Sequence, residues 1–482
     1  MKSPLAYLYK ALKECPSKNC LKVGKTELSY AGFYESLQPV RSFLHSNQIN
    51  KGKKVAFYSD DDLLLIQLIF SAWELGAIAV PMNLKYTPDK LRKIEENIQP
   101  DAGVFVKGVN IGTVENFPLH EFSLSDQKTI VNAVDMDENN DALIMFTSGS
   151  TGLPKGVPIT HRAVYLNTTY TAERLRVNAN DKIFINTPPY TTSSLIHVLT
   201  MFSQGASVVI ERGFMFGAGL WSQINDNNCT GFGGVPVHFS RILSALSTPV
   251  EKSSLRFLMN SGEHLPVPII KKVREKLPKV EIYCVYGLTE VAGRLCILDN
   301  SFIDTKIGSV GKPLKEMSVI VRNEKGEVAL PMEEGQVYVS GPLLTKGYIN
   351  NEAVNKVEFT KWGFATGDYG YKDEDDFLFL KGRKDDIIKV GGEKVSLKMI
   401  EEVLHDFEDF EDFVVLTEYD PNMGSVPVLN YVMKKGTAFD RSKLVRFVSN
   451  KLPSTHIPVK FNEVSEIKRT SSGKTIRGKN PQ

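Results

Sequence analysis

Apolar positions over roughly the first 300 residues fall into two alternating patterns. Short continuous runs read as buried strands: Val55-Ala56-Phe57-Tyr58, Ala142-Leu143-Ile144-Met145-Phe146, Ile183-Phe184-Ile185, Ser207-Val208-Val209-Ile210 and Phe257-Leu258-Met259. Between them, residues 88–96, 162–175 and 267–276 carry apolar side chains at helical spacing. This alternation predicts an α/β protein with largely parallel sheets. Beyond residue 305 the texture changes, and 318–322, 336–340 and 377–380 read as short runs of a small β subdomain. Residues 396–407 and 441–452 then read as helices and 413–416 and 428–433 as strands, giving a small α+β unit. The charged, glycine-bearing Lys381-Gly382-Arg383-Lys384-Asp385-Asp386 separates the two textures. The expected division is a large N-terminal domain, 1–383, and a small C-terminal domain, 384–482.

Residues 63–82 imitate a membrane span. Gln67, Glu74, Gly76 and the closing Pro81 divide the stretch instead into a buried helix of about twelve residues and a strand, Ala77-Ile78-Ala79-Val80. No membrane span is therefore expected. A chain of 482 residues, 42% hydrophobic and 24% charged, suits a soluble protein of two to four folding units. The formal net charge of +2 and the absence of a long basic block give no sign of a nucleic-acid partner. Five cysteines (Cys15, Cys20, Cys229, Cys284, Cys296) form no C-x-x-C pair, which argues against a zinc site or a disulfide framework. Reduced thiols and an N-terminus without a signal-peptide core imply a cytoplasmic protein.

The stretch Phe146-Thr147-Ser148-Gly149-Ser150-Thr151-Gly152-Leu153-Pro154-Lys155-Gly156-Val157 follows the strand 142–146. Glycines allow backbone N–H groups to turn inward on an anion, hydroxyls add donors, and Lys155 adds a full charge. By composition alone the stretch reads first as a flexible Gly/Ser linker. The preceding strand, the Pro-Lys-Gly ending and the apolar restart at Val157 favour a phosphate cradle. It is neither a Walker A loop nor a dinucleotide G-x-G-x-x-G.

The whole string resembles the nucleotide-binding signature of the adenylate-forming superfamily, which comprises acyl-CoA synthetases, adenylation domains and luciferases. Four further segments match in order. Tyr286-Gly287-Leu288-Thr289-Glu290 resembles the second nucleotide motif; the resemblance implies a tyrosine ring against adenine, Thr289 on the α-phosphate and Glu290 holding Mg²⁺. Trp362-Gly363-Phe364-Ala365-Thr366-Gly367-Asp368 resembles the ribose motif, implying that Asp368 accepts from both ribose hydroxyls. In Gly382-Arg383-Lys384-Asp385-Asp386 the resemblance makes Arg383 a ribose or phosphate contact and Asp385 the hinge, with Gly391 and Gly392 lining the thiol's path. Lys468-Arg469-Thr470-Ser471-Ser472-Gly473-Lys474 resembles the catalytic-lysine motif, with Ile467 where a proline is common. Lys474 would bridge the substrate carboxylate and the α-phosphate. Ser261-Gly262-Glu263, otherwise readable as a helix cap, would belong to the adenine and acyl pocket. Taken alone, the other motifs read as a strand-to-helix turn, a turn aspartate, a charged loop and a solvated basic tail.

The resemblance implies a two-step reaction using ATP, Mg²⁺ and the thiol of coenzyme A, with a mobile C-terminal domain. An acyl or peptidyl carrier protein bearing phosphopantetheine is the alternative acceptor. The expected acyl pocket takes in Tyr190, Thr191, Ser194, His197, Gly234, Val235 and Leu288. Thr191 stands where many ligases of this superfamily place histidine. No aspartate lies between Thr187 and His197 to pair with an α-ammonium, and an unpaired buried ammonium is costly. The expected substrate is a fatty, aryl or similar carboxylic acid without an α-amino group. A non-catalytic nucleotide-binding protein would be expected to lack Lys474, Glu290 or the cradle, and all three are present.

Overall fold

The computed structural model describes residues 2–477 except 108, 110–116, 124–131, 148–152, 213–217, 247–252, 384–385, 391–392, 421–423 and 471–472. Two parallel-rich sheets form the larger part. One has the order Leu119–Glu121, Ala102–Phe105, Lys54–Tyr58, Ile78–Pro81, Asp141–Phe146, Gly156–Thr160, and only the last pair is antiparallel. The other has nine strands. Its parallel centre runs Glu281–Tyr286, Phe257–Ser261, Gly231–Gly234, Lys182–Ile185, Ser207–Ile210, Asn19–Val23. Antiparallel strands close both edges.

The membrane-like stretch folds as the helix Asp62–Glu74 followed by the strand Ile78–Pro81. Asp61 caps the helix by accepting from the Leu64 N–H at 3.0 Å. Trp73 is fully buried, and its indole donates to the Ala142 carbonyl at 2.8 Å, tying the helix to the strand that leads into the cradle. Glu74, which interrupts the apolar run, is buried and paired with Arg41, and Tyr9 also donates to it at 2.9 Å. Among the described residues, no helix is long and apolar enough to cross a membrane.

An antiparallel sheet follows, built on Ser318–Arg322, Gly335–Ser340, Gly363–Lys372 and Leu378–Arg383. The expected boundary loop is thus partly strand: residues 381–383 complete the ladder with Gly363–Lys372. Backbone pairing overrides the charged composition there. Beyond it, a hairpin Ile387–Val390/Glu393–Ser396, the helices Leu397–Leu404 and Arg441–Ser449, and a three-stranded sheet enclose their own apolar cluster. Val395, Ile400, Leu404, Val415, Leu429, Leu444 and Val448 are buried in it.

Several expected elements differ in extent: the strand expected at 428–433 runs Gly424–Met433, and the helix expected at 441–452 is Arg441–Ser449. The strand expected at 413–416 runs Phe410–Asp420, because residues 411–413 and 417–420 are half-buried or exposed and mostly polar and so extend no apolar run. The helix expected at 396–407 is Leu397–Leu404, with Ser396 as its cap, accepting from the Met399 N–H at 3.3 Å.

Candidate active site

The strand Glu281–Tyr286 brings a buried Tyr286 against the antiparallel sheet. The Tyr286 hydroxyl donates to Asp368, which lies on Gly363–Lys372. Arg383, on the next strand, approaches the other Asp368 oxygen at 3.5 Å and donates to the Thr366 carbonyl at 2.7 Å. Burial raises the Asp368 pKa, while Arg383 and the Tyr286 hydroxyl oppose the rise. After Tyr286 the chain doubles back so tightly that a Cβ on Gly287 would sit 1.8 Å from the Gly293 carbonyl oxygen. That turn carries Leu288, half-buried against the core, and Thr289, whose hydroxyl lies 3.4 Å from that of Thr192.

Glu290 is buried at the same turn. Tyr348 donates to it at 2.7 Å, and the same hydroxyl lies 2.9 Å from Glu358. Lys155 reaches Glu358 at 2.7 Å with its ammonium 4.3 Å from the Tyr348 ring centroid. Burial raises the Glu290 pKa against the opposing effects of Tyr348, Lys155 and Arg383. The ends of the cradle are pinched together. The Thr147 N–H donates to the Lys155 carbonyl at 3.2 Å, and the Lys155 N–H donates to the Thr147 hydroxyl at 3.3 Å. Ser148, Gly149, Ser150, Thr151, Gly152, Asp385, Gly391 and Gly392 lie outside the described residues.

Lys474 enters from the C-terminal part on a short loop. The Thr470 N–H donates to the Lys474 carbonyl at 2.8 Å, and the Lys474 N–H donates to the Thr470 hydroxyl at 3.1 Å. Below the loop, Arg469 grips Asp412 through two bonds of 2.7 and 2.9 Å, and Arg477 pairs with Glu401. These basic residues are paired, so the solvated-tail reading does not hold for them. Ile467, in the position of the usual proline, is buried against Val414 and Leu416 and anchors the loop's base.

The loop tip docks on the strand ends of the nine-stranded sheet. Glu263 accepts from the Thr475 N–H at 2.6 Å. Val235 lies between the two glycines of the contact: its methyls are 3.0 Å from a Cβ built on Gly473 and 3.7 Å from one built on Gly262. Gly262 has φ +98°, and a Cβ there would come within 2.7 Å of Lys474 Cε. Burial lowers the Lys474 pKa, Glu263 and Glu290 oppose this, and Arg383 and Arg294 add to it. Gly262→Val should therefore push Lys474 out of place. We expect acyl-adenylate formation, read by pyrophosphate exchange, to fall about 100-fold.

The expected acyl-pocket residues take mixed positions. Thr191 caps the helix Thr192–Phe202, accepting from the Ser194 N–H at 3.3 Å and donating to the Pro188 carbonyl at 2.9 Å. Ser194 is fully buried and donates to the Thr187 carbonyl at 2.7 Å. Tyr190 is half-buried against the core. Ser193, one turn along, reaches the Ser261 hydroxyl at 3.1 Å. His197 is buried, well below its ordinary pKa and hence neutral, and fills the space a Cβ on Gly233 would need. A Cβ on Gly234 would meet the Phe232 ring at 2.8 Å and His238 Nδ1 at 3.0 Å.

Sequence reasoning missed Tyr348, Glu358, Asn186 and Arg294, which no motif singled out, whereas His238 closes the segment 232–238 expected at the acyl pocket. Burial holds His238 neutral at a pKa of about 4, and its Nδ1 accepts from the Val235 N–H at 3.3 Å. Nε2 then carries the proton. An Asn186 amide turned to offer its oxygen across the 3.1 Å contact would satisfy both groups.

Tyr286, Asp368 and Glu290 thus gather beside Lys155, and Lys474 reaches the neighbouring strand end from the C-terminal part of the chain. The chain belongs to the AMP-binding enzyme family: that family's model matches residues 8–349, and the AMP-binding enzyme C-terminal domain matches 399–474. It is similar to the 2-succinylbenzoate–CoA ligase of Bacillus subtilis (strain 168), 27% identical over 467 residues, spanning 96% of this chain and 94% of the relative. The same-named ligase of Geobacillus sp. (strain WCH70) is 28% identical over 469 residues, with 96% and 94% covered. Among solved structures, the o-succinylbenzoate CoA synthetase of Bacillus subtilis with its acyl-adenylate intermediate superposes with a TM-score of 0.87 at 24% identity, covering 98% and 96% of the two chains. An anthranilate CoA ligase bound to anthranoyl-AMP superposes at 0.89 and 20% identity, covering 98% and 95%. At these identities the structural likeness bears on the fold alone.

Proposed function

We propose that this protein is an AMP-forming acid–thiol ligase. It converts an aryl or similar carboxylic acid, lacking an α-amino group, to an acyl-adenylate and then to a coenzyme A thioester in the cytoplasm. The observation that carries this reading is the docking of Lys474 over Gly262, near the group formed by Tyr286, Asp368 and Glu290.

In the first half-reaction a substrate carboxylate oxygen attacks the α-phosphorus of ATP, and the bond to the β-phosphate breaks with release of pyrophosphate. Charge builds on the α-phosphate oxygens and is spread across the attacking carboxylate. Lys474 stabilises both with a desolvated ammonium held in place before the reaction. Thr289 contacts the α-phosphate, and Thr147 and Lys155 hold the departing end together with Ser148, Gly149, Ser150, Thr151 and Gly152. Tyr286, Gly287 and the Ser261–Glu263 strand end flank the adenine, and Asp368 and Arg383 hold the ribose. Magnesium keeps most of its waters and binds through one or two carboxylates plus substrate phosphates. Glu290 fits that demand, because it is a buried carboxylate held on one oxygen by the Tyr348 hydroxyl, with Lys155 of the cradle in electrostatic reach. The ion would supply charge neutralisation on the phosphates.

In the second half-reaction the thiol sulfur attacks the acyl carbon and AMP departs. Lys474 must then withdraw, and we place the division of the moving parts at 383/384 with Asp385 as the hinge. Bonds that cross this division include Glu263 to the Thr475 N–H, His264 to Glu402 at 3.3 Å, Lys398 to the Leu380 carbonyl at 2.6 Å and Ser396 to the Lys381 carbonyl at 2.9 Å.

Pyrophosphate exchange and thioester formation across a panel of acids test the reading. Simple aryl or fatty acids should support exchange, and coenzyme A alone should capture the acyl group. Turnover confined to proteinogenic amino acids would overturn the substrate class. Dependence on an added carrier protein would replace the ligase by a carrier-loading enzyme.

A further inference from the structure

Arg294 is among the largest fully buried side chains of the described residues, at 2% exposure. Buried arginines are ordinarily paired with carboxylates, as Arg41 is with Glu74. Arg294 has no such partner among the described residues. Its Nη2 donates to the Ser193 carbonyl at 3.2 Å, and its buried Nε finds no acceptor. Burial lowers its pKa to about 10, no neighbouring acid offsets this, and the group is still a cation at neutral pH. A neutral donor could satisfy one carbonyl, so that single bond does not account for a desolvated charge.

The surroundings place this cation beside residues expected to line the acyl pocket. The turn that bears it is clamped by Asn167, whose amide donates to the carbonyls of Val291 at 3.0 Å and Arg294 at 2.7 Å. The guanidinium lies over the first turn of the helix Thr192–Phe202, at Ser193. The Ser193 hydroxyl meets Ser261, and Ser261 adjoins Gly262, over which Lys474 passes. Lys474 and His197 both lie within electrostatic reach of Arg294. His197 is neutral and supplies no counter-charge. A second cation thus stands beyond Ser193, on the acyl side of the lysine that acts on the reacting carboxylate.

We infer that Arg294 binds a second carboxylate on the acid substrate, so that the enzyme selects dicarboxylic acids. This rests on the ligase reading above. The planar fork of a guanidinium matches a carboxylate with two parallel N–H···O bonds, and the bound anion supplies the counter-charge the protein withholds. One carboxylate then reacts at Lys474 while the other fixes the acid's orientation. A matched monocarboxylate would leave the buried cation unpaired and bind poorly.

Two matched pairs test this by pyrophosphate exchange: 2-succinylbenzoate against 4-oxo-4-phenylbutanoate, and adipate against hexanoate. The wild-type enzyme should prefer the dicarboxylate in at least one pair by about 100-fold in kcat/KM. Arg294→Met should abolish that ratio. The ligand-free variant should melt no lower than wild type, since replacing an unpaired buried charge by an apolar side chain is often stabilising. The thermal shift given by the dicarboxylate should disappear. Arg294→Lys, which keeps the charge without the fork, should lose about tenfold of the preference and carries the test should the methionine variant not fold. A wild-type enzyme indifferent to the second carboxylate, or variants that keep the ratio, would overturn the arginine assignment alone. Exchange with no acid of any kind would overturn the ligase reading and this inference together.

Discussion

Lys474→Ala should lower acyl-adenylate formation by about 10³-fold, the loss expected when one preorganised charge at the reacting oxygens is removed. Stopped-flow or pyrophosphate exchange reads this step directly. Conversion of a chemically prepared acyl-adenylate to the coenzyme A thioester should persist within a few-fold, because the proposed reading withdraws Lys474 before the thiol enters. Equal losses in both half-reactions would remove the lysine from its assigned step. The loop should stay folded without the ammonium, since Arg469–Asp412, Arg477–Glu401 and the backbone bonds around Thr470 do not involve it. The pH profile sharpens the assignment. The ammonium is the active form, so adenylation should fall as pH rises through the lysine's pKa. Burial has lowered that pKa below the ordinary lysine value, so the fall should begin earlier than for an exposed amine. The alanine variant should lose this alkaline limb.

The sheets were legible because parallel strands buried on both faces leave uninterrupted apolar runs; Ser207–Ile210 and Val267–Lys276 fall where periodicity places them. Helix Asp62–Glu74 could be separated from a membrane span because Glu74 is too costly to bury without Arg41, a partner the apolar pattern itself cannot show. The motifs could be picked out because the phosphate, ribose and metal chemistry that the resemblance implies would restrict residue type at fixed spacing, and the structure brings Tyr286 to Asp368 and Lys155 near Glu290. Residues whose role depends on a distant partner were not. Tyr348 becomes part of the site only because Thr345 and Gly347 carry the chain past Glu290. Arg294 sits in an apolar stretch, and nothing in its neighbours along the chain tells that its charge is buried. Thr191 shows the opposite failure: a residue conspicuous as a departure from a family pattern is, in three dimensions, a helix cap.

Asp368→Ala should raise the KM for ATP and lower kcat/KM for ATP by about 10²- to 10⁴-fold. Two charge-assisted hydrogen bonds to the ribose hydroxyls are worth about 1.5–3 kcal/mol each, and every 1.4 kcal/mol is about a factor of ten. The variant also leaves Arg383 without its 3.5 Å partner and Tyr286 without its acceptor, so the ring that flanks the adenine loses its tether. Asp368→Asn separates these effects. An amide keeps the shape and can still accept from Tyr286, but one of its two ribose-facing positions becomes a donor, and its loss should be smaller than that of alanine. The carboxylate must be ionised to accept both hydroxyls, and burial has raised its pKa. ATP affinity should therefore weaken as pH falls through that raised value, at a higher pH than an exposed aspartate would require. Titrating a fluorescent ATP analogue against pH reads this in the absence of acid substrate. The asparagine variant, with no group to protonate, should show no such acid limb. A variant that binds ATP as tightly as wild type would take Asp368 out of the nucleotide site. It would leave the Tyr286–Asp368–Arg383 cluster as a strut between the nine-stranded sheet and the antiparallel one.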